Sequence, residues 1–250
     1  MDDVPRDPPA LEVLPTAPEV AARLAELFVT AAAEAVARHG RFLVALAGGT
    51  TPLAAYRLLA RADVPWPKTH VFFGDERCVP ESHPDRNDGA AREALLAHVP
   101  IPAENVHAID AMAEDGAAKA EKDVRTILGE SLRFDLVLLG MGPDGHTASL
   151  FPGHPALHEK KHLVVRLEDS PKPPPARITF TLPLLRAARH TVLVVTGAEK
   201  RMALLRVLAH DPETPAALAR PRDGVFTILA DEAAGAEPGT GGAAAGTGAA

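Results

Sequence analysis

Between Gly140 and Pro152 the chain reads Gly-Met-Gly-Pro-Asp-Gly-His-Thr-Ala-Ser-Leu-Phe-Pro, which places a carboxylate, Asp144, two residues before an imidazole, His146. Imidazole titrates near neutral pH. His146 could therefore take a proton from water and return it to a departing oxygen, the double duty that ester hydrolysis requires. The flanking glycines allow backbone conformations and close ligand approach that other residues resist. Asp144 has three open readings: it orients the imidazole, holds a substrate hydroxyl, or caps the segment that follows. His146 has a purely structural reading as well, a hydrogen bond into its own loop.

A second stretch, Ala47-Gly48-Gly49-Thr50-Thr51-Pro52, offers anion chemistry. Gly48 and Gly49 leave backbone N–H groups unobstructed, Thr50 and Thr51 add hydroxyls, and a helix starting here would turn its positive end toward a phosphate. The same residues also make an ordinary tight turn. They lack the Lys-Ser/Thr end of a P-loop and the GxGxxG spacing of a dinucleotide site, so nucleotide binding is not indicated. In Gly74-Asp75-Glu76-Arg77, Arg77 can pair an anion bidentately and Asp75 can accept from sugar hydroxyls, the alternative being a solvated loop. Arg177 and Lys200 are further cationic candidates. His83, His154 and His158 show no metal-ligating spacing and no HExxH occurs, so no metal or cofactor is expected.

These groups can act together only if the elements carrying them end side by side. Short apolar runs at 42–47, 71–73, 134–139 and 191–195 read as buried parallel strands, with further strands at 163–167 and 225–229. Helical spacing covers 20–38, 89–98, 113–128, 182–188 and 197–209, with a short turn at 215–219. Thr51 as N-cap and Pro52 at the first helical position predict a helix to about residue 62. Prolines make 171–175 an irregular loop. The alternation predicts an α/β fold, a mostly parallel sheet with helices on both faces, whose ligands gather at the carboxyl ends of the strands. The expected organisation is a flexible N-terminus at 1–9, one catalytic α/β domain at 10–233, and a disordered Gly/Ala-rich tail at 234–250.

The 250 residues are 46% hydrophobic and carry a net charge of -7. That is enough apolar residue for a large core and offers no basic stripe for a phosphate backbone, so no nucleic-acid partner is expected. Cys78 is the only cysteine, which rules out an intramolecular disulfide and suits a reducing compartment. The acidic, proline-rich start has no signal-peptide pattern, and no apolar run approaches the ~20 residues that span a bilayer. A cytoplasmic protein without membrane contact is the expectation.

Taken together, the motifs resemble the glucosamine-6-phosphate isomerase/6-phosphogluconolactonase family. The matching stretches are 47–52, 74–80, Asp85-Arg86-Asn87, 140–152, 175–181, 197–201 and 214–218, hence roughly residues 10–233. The continuation Thr-Ala-Ser-Leu-Phe-Pro after Asp-Gly-His is similar to the lactonase branch, whereas the deaminase branch usually turns to a Phe-Asn-Glu-Pro type of sequence. One departure is Ala47, where many relatives carry Ser. The resemblance implies a glucosamine-6-phosphate deaminase-like fold and a sugar-phosphate ligand. It also implies metal-independent hydrolysis of 6-phospho-D-glucono-1,5-lactone to 6-phosphogluconate in the pentose phosphate pathway. His146 and Asp144 would be catalytic, and Gly48, Gly49, Thr50, Thr51, Asp75, Arg77, Arg177 and Lys200 would bind the substrate. The alternatives are an amino-sugar-phosphate deaminase/isomerase and a non-catalytic sugar-phosphate sensor.

Overall fold

A computed structural model describes residues 9–235. The chain opens with strand β1 (Ala10–Leu14) and helix α1 (Ala17–His39). Val20, Leu24 and Phe28 recur every four residues and are fully buried, which gives α1 its core-facing stripe. Thr16 caps its start, and Gly40, at φ 83°, closes its end by donating to the Val36 carbonyl. Next come β2 (Phe42–Leu46), α2 (Thr50–Leu59), β3 (Thr69–Phe73), β4 (Asp75–Arg77), α3 (Asn87–Ala94) and β5 (Val106–His107). After α4 (Gly116–Leu128) come β6 (Leu136–Gly140), β7 (Val164–Leu167), β8 (Arg177–Phe180), α5 (Leu182–Leu185) and β9 (His190–Val195). The chain then passes through α6 (Arg201–Leu208), α7 (Pro215–Leu218), β10 (Val225–Asp231) and α8 (Glu232–Gly235).

Seven strands form one parallel sheet in the order β1-β10-β9-β6-β2-β3-β5. Every residue of β2 is buried, as are all of β6 and β9 but one terminal residue each. Since neighbouring strand residues point to opposite faces, both faces of the sheet are covered there. From β2 the chain first builds outward to β3 and β5, then returns to lay β6, β9 and β10 on the other side. The strand order therefore reverses between β2 and β6, and a crevice opens at their carboxyl ends, the place where open α/β sheets bind ligands.

Several expectations need correction. Asp75, Glu76 and Arg77 are not a solvated loop but the edge of a second, antiparallel sheet, β4-β8-β7, with Asp75 and Glu76 buried. Strand β8 at 177–180 has no counterpart among the apolar runs, because Arg177 and Thr179 break the pattern although all four residues are buried. Helix α2 begins one residue before Thr51, with Gly49 at the N-cap and no side-chain cap. Thr51 instead shares a 2.8 Å hydrogen bond with the Thr196 hydroxyl. Ala234 and Gly235, assigned to the tail, complete α8 with Ala234 buried. The remainder of that tail, and residues 1–8, lie outside the described residues. Among the described residues no helix is long and apolar enough to cross a membrane, and Cys78 is a free, half-buried thiol.

Candidate active site

A cavity of about 270 Å³ opens at the β2/β6 reversal. Its floor comes from strand ends, Leu46 of β2, Leu138 to Gly140 of β6 and Val194 of β9, and its walls from the loops that leave them. Gly48, Gly49, Thr50, Thr51, Asp75, Arg77, His146, Arg177 and Lys200 all line it. Nine of the ten residues singled out by sequence thus meet on one cavity. The tenth, Asp144, does not line it and stands behind His146.

The Asp144–His146 contact supports the reading in which Asp144 orients the imidazole, and the same carboxylate oxygen also accepts from the His146 N–H at 3.4 Å. Asp144 Oδ1 lies 2.5 Å from His146 Nδ1. A carboxylate oxygen and a ring nitrogen that close must share a proton, so Nδ1 carries the hydrogen and donates it to Asp144. The imidazole is thereby fixed in the tautomer that leaves Nε2 as the acceptor, and among the described residues Nε2 has no hydrogen-bond partner. The ring stacks on Phe151, centroids 4.7 Å apart. Gly142 makes room for it: a Cβ there would collide with His146 Cε1 and Nδ1 and lie 2.6 Å from Asp144 Oδ1. Burial pushes the His146 pKa down, and the nearby Lys172 ammonium pushes the same way, while the hydrogen bond and charge of Asp144 resist. Burial would raise the Asp144 carboxyl, but hydrogen bonds from His146 and Lys172 hold it below its ordinary value. The imidazole therefore takes up a proton less readily than an ordinary histidine.

Opposite stands the anion cradle. The first-turn N–H groups of α2 have no acceptor within the helix, and Gly49 at the N-cap offers no side chain to satisfy them. Gly48 must lack a Cβ because Asn87 Oδ1 occupies that space. Asn87 in turn donates through Nδ2 to the Asp75 carbonyl at 2.9 Å and to Asp75 Oδ1 at 3.3 Å. Asp75 also accepts from the Ser149 hydroxyl at 2.6 Å, and Arg177 Nη1 reaches that hydroxyl at 3.4 Å. Arg177 Nε and Nη2 donate to the carbonyls of the proline loop, Pro174 at 3.0 Å and Pro173 at 3.0 Å. Burial lowers the Arg177 pKa and also that of Lys200. Arg77 Nη1 donates to the Asp85 carbonyl at 2.6 Å, while its buried Nε has no partner among the described residues. A buried guanidinium N–H without an acceptor is costly, and a bound anion would satisfy it.

Sequence reasoning missed the braces of this arrangement. Glu76 is fully buried and accepts backbone N–H groups of Arg77, Asn87 and Asp88 at 2.8, 2.8 and 2.9 Å, clamping the start of α3 to β4. Its signal was present, a Glu inside the charged motif, but nothing local says that it points inward. Lys172, in the proline loop, reaches Asp144 Oδ1 and His146 Nδ1, each at 3.2 Å. The lone lysine among prolines at 171–175 was the only available hint. His154 lies away from the cavity, where its Nδ1 accepts from the Ala156 N–H at 3.1 Å and its Nε2 faces Asp169 at 3.0 Å. Among the described residues no three His, Cys, Asp or Glu side chains converge as a metal-ligating group.

Known proteins resemble this chain over most of its length. Residues 15–228 match the family model described as glucosamine-6-phosphate isomerases/6-phosphogluconolactonase. The chain is 43% identical over 237 residues to the 6-phosphogluconolactonase of Nostoc sp., covering 91% of this chain and 97% of that one. It is 41% identical over 239 residues to the 6-phosphogluconolactonase of Rattus norvegicus, covering 91% and 93%. Its fold superposes on the crystal structure of 6-phosphogluconolactonase from Thermotoga maritima with a TM-score of 0.80 at 30% identity, over 88% of this chain and 99% of that one. With the family model spanning nearly the whole described fold, and relatives this similar matching end to end, the chain belongs to the glucosamine-6-phosphate isomerase/6-phosphogluconolactonase family.

Proposed function

We propose that this protein hydrolyses 6-phospho-D-glucono-1,5-lactone to 6-phosphogluconate, as a carboxylic ester hydrolase of the pentose phosphate pathway. One observation carries the reading. A histidine fixed by a carboxylate through Nδ1, with Nε2 unpaired, shares one cavity with a helix N-terminus and three cationic side chains. The names borne by the similar proteins from Nostoc and rat support the same substrate.

In the proposed reaction His146 Nε2 removes a proton from a water molecule as its oxygen attacks the lactone carbonyl carbon. The carbonyl becomes a tetrahedral oxyanion. Its collapse breaks the bond to the ring oxygen, and the imidazolium returns the proton to that oxygen, leaving a carboxylic acid that ionises at neutral pH. Asp144 stays ionised and stabilises the imidazolium through Nδ1–H. The N–H groups of Gly142 and Gly145 are consumed inside the turn by the carbonyls of His146 and Gly142. Arg77 and Arg177, which line the cavity, would then offer donors to the oxyanion. The α2 N-terminus, with Gly48, Gly49, Thr50 and Thr51, and Lys200 would hold the phosphate, and Asp75 would accept from a ring hydroxyl.

The test is lactone hydrolysis corrected for spontaneous ring opening, wild type against His146→Ala. Loss of general-base catalysis should lower kcat by about 10²- to 10⁴-fold with a much smaller change in KM. A folded variant that turns over at the wild-type rate would reject the role of His146.

A further inference from the structure

We propose that Lys172 is a positioning residue of the Asp144–His146 pair, an ammonium that sets the charge behind the imidazole and keeps it a free base, rather than a substrate-binding cation. The proposal rests on the hydrolytic reading of His146.

The geometry separates Lys172 from the other cations. Arg77, Arg177 and Lys200 line the cavity, and Lys172 does not. Its Nζ sits on the Nδ1 side of the ring, 3.2 Å from both Nδ1 and Asp144 Oδ1. Because Nδ1 already donates to Asp144, Lys172 cannot donate to it as well. Lys172 donates to the carboxylate, and its closeness to Nδ1 is repulsive toward an imidazolium. Two side-chain donors then share one carboxylate oxygen, which also accepts from the His146 backbone N–H at 3.4 Å, and the negative charge facing the imidazole is divided.

The loop that delivers Lys172 is held on several sides. Its N–H donates to the Ser170 hydroxyl at 3.3 Å, and that hydroxyl donates to the Lys172 carbonyl at 3.0 Å. Arg177 Nη2 donates to the same carbonyl at 3.3 Å, and Pro171, Pro173 and Pro174 restrict the backbone on both sides. The side chain is only about one-third exposed, at 37%. A cation meant only for solubility would not need such fixing.

The remaining charges facing His146 clarify what Lys172 adds. Asp144 in its own turn and Asp75 of β4 favour the imidazolium, and Lys172 opposes it. Arg177 lies over the Phe151 ring, 5.7 Å from its centroid, and His146 stacks on that same ring. Arg77 and Lys200 line the same cavity as His146. Two carboxylates without Lys172 would hold the ring protonated further into the neutral range, and a protonated ring cannot activate water. With Lys172 in place the proton taken from water is also shed more readily to the ring oxygen.

The experiment compares wild type with Lys172→Met and Lys172→Arg by two readouts, the pH profile of kcat/KM for the lactone and a ¹³C NMR titration of the His146 ring. The His146 signal is identified by its absence from His146→Gln. Loss of a unit charge about 4 Å away is worth roughly a factor of five even in a water-like dielectric. Lys172→Met should therefore lose up to about fivefold in kcat/KM on the acid limb, at pH below the wild-type imidazole titration, a deficit that shrinks as pH rises. Its imidazole should titrate at higher pH than in wild type, and Lys172→Arg should restore both. An unmoved imidazole titration overturns the proposal, as does a raised KM with an unshifted acid limb, which would make Lys172 a substrate ligand. The titration needs no turnover. Failure of the lactone reading would therefore appear as an inactive wild type, while the ring titration would still decide the role of Lys172.

Discussion

Gly142→Ala is the sharpest test of whether the rate depends on where the imidazole sits. The added Cβ would fall inside the contact distance of His146 Cε1 and Nδ1 and 2.6 Å from Asp144 Oδ1. Ordinary carbon contacts lie at about 3.5–4.0 Å, so the ring and the carboxylate must retreat by about 1 Å or more. Displacement on that scale costs on the order of 10²-fold in a reaction that depends on alignment, equivalent to about 2.7 kcal/mol of barrier. Crowding should also destabilise the fold by about 1–3 kcal/mol, less if the ring swings into the cavity. The assay is kcat at saturating lactone, corrected for spontaneous opening, with thermal unfolding of the same preparation. Gly89→Ala is the control. Its Cβ meets Arg86 Cβ at 3.5 Å and the Glu81 carbonyl at 3.8 Å, ordinary contacts, and Gly89 itself does not line the cavity. A Gly142→Ala protein with wild-type kcat would refute the claim that the pocket left by that missing Cβ fixes the catalytic geometry.

Two further outcomes follow from the charges around the cavity. Burial pushes the Glu76 carboxyl up to about 7, against the pull of its three backbone donors and Arg86. The folded protein then holds that proton more tightly than the unfolded chain. The contribution to stability is full below about 4.5 and is lost as pH rises through about 7. Chemical denaturation across that window should show a falling slope that Glu76→Gln flattens, and parallel curves for the two proteins would contradict it. Lys200→Met should raise KM about tenfold or more with kcat little changed, since a charge-assisted bond to phosphate acts in ground and transition state alike. Equal losses in kcat and kcat/KM would move Lys200 to the reacting centre.

The central strands were legible because they are buried on both faces, so β2, β6 and β9 appear as unbroken apolar runs whatever surrounds them. The glycine turns following β2 and β6 were equally plain, and they carry most of the site. What escaped depends on partners distant in sequence. Asp-Glu-Arg at 75–77 has no strand character of its own and becomes a strand because Arg177–Phe180 supplies the ladder. Residues 177–180 hid for the reciprocal reason, their Arg and Thr being buried against polar partners such as Ser149. Thr51 looked like a cap, but the chain turns at Gly49 and spends the Thr51 hydroxyl on Thr196, 145 residues away. Lys172 approaches Asp144 across 28 residues of loop and strand, a pairing that no local pattern encodes.

The antiparallel register of the smaller sheet sets Arg77 directly across from Arg177. Like charges facing one another across a ladder repel, and here both guanidinium groups border the same cavity. Affinity for an anion and mechanical soundness of this corner would therefore be two sides of one quantity. An oxyanion held between the two arginines, as the proposed reaction has the attacked lactone carbonyl become, would also tie β4 to β8. Its loss on product release would surrender that reinforcement, so release and local softening would be thermodynamically the same event.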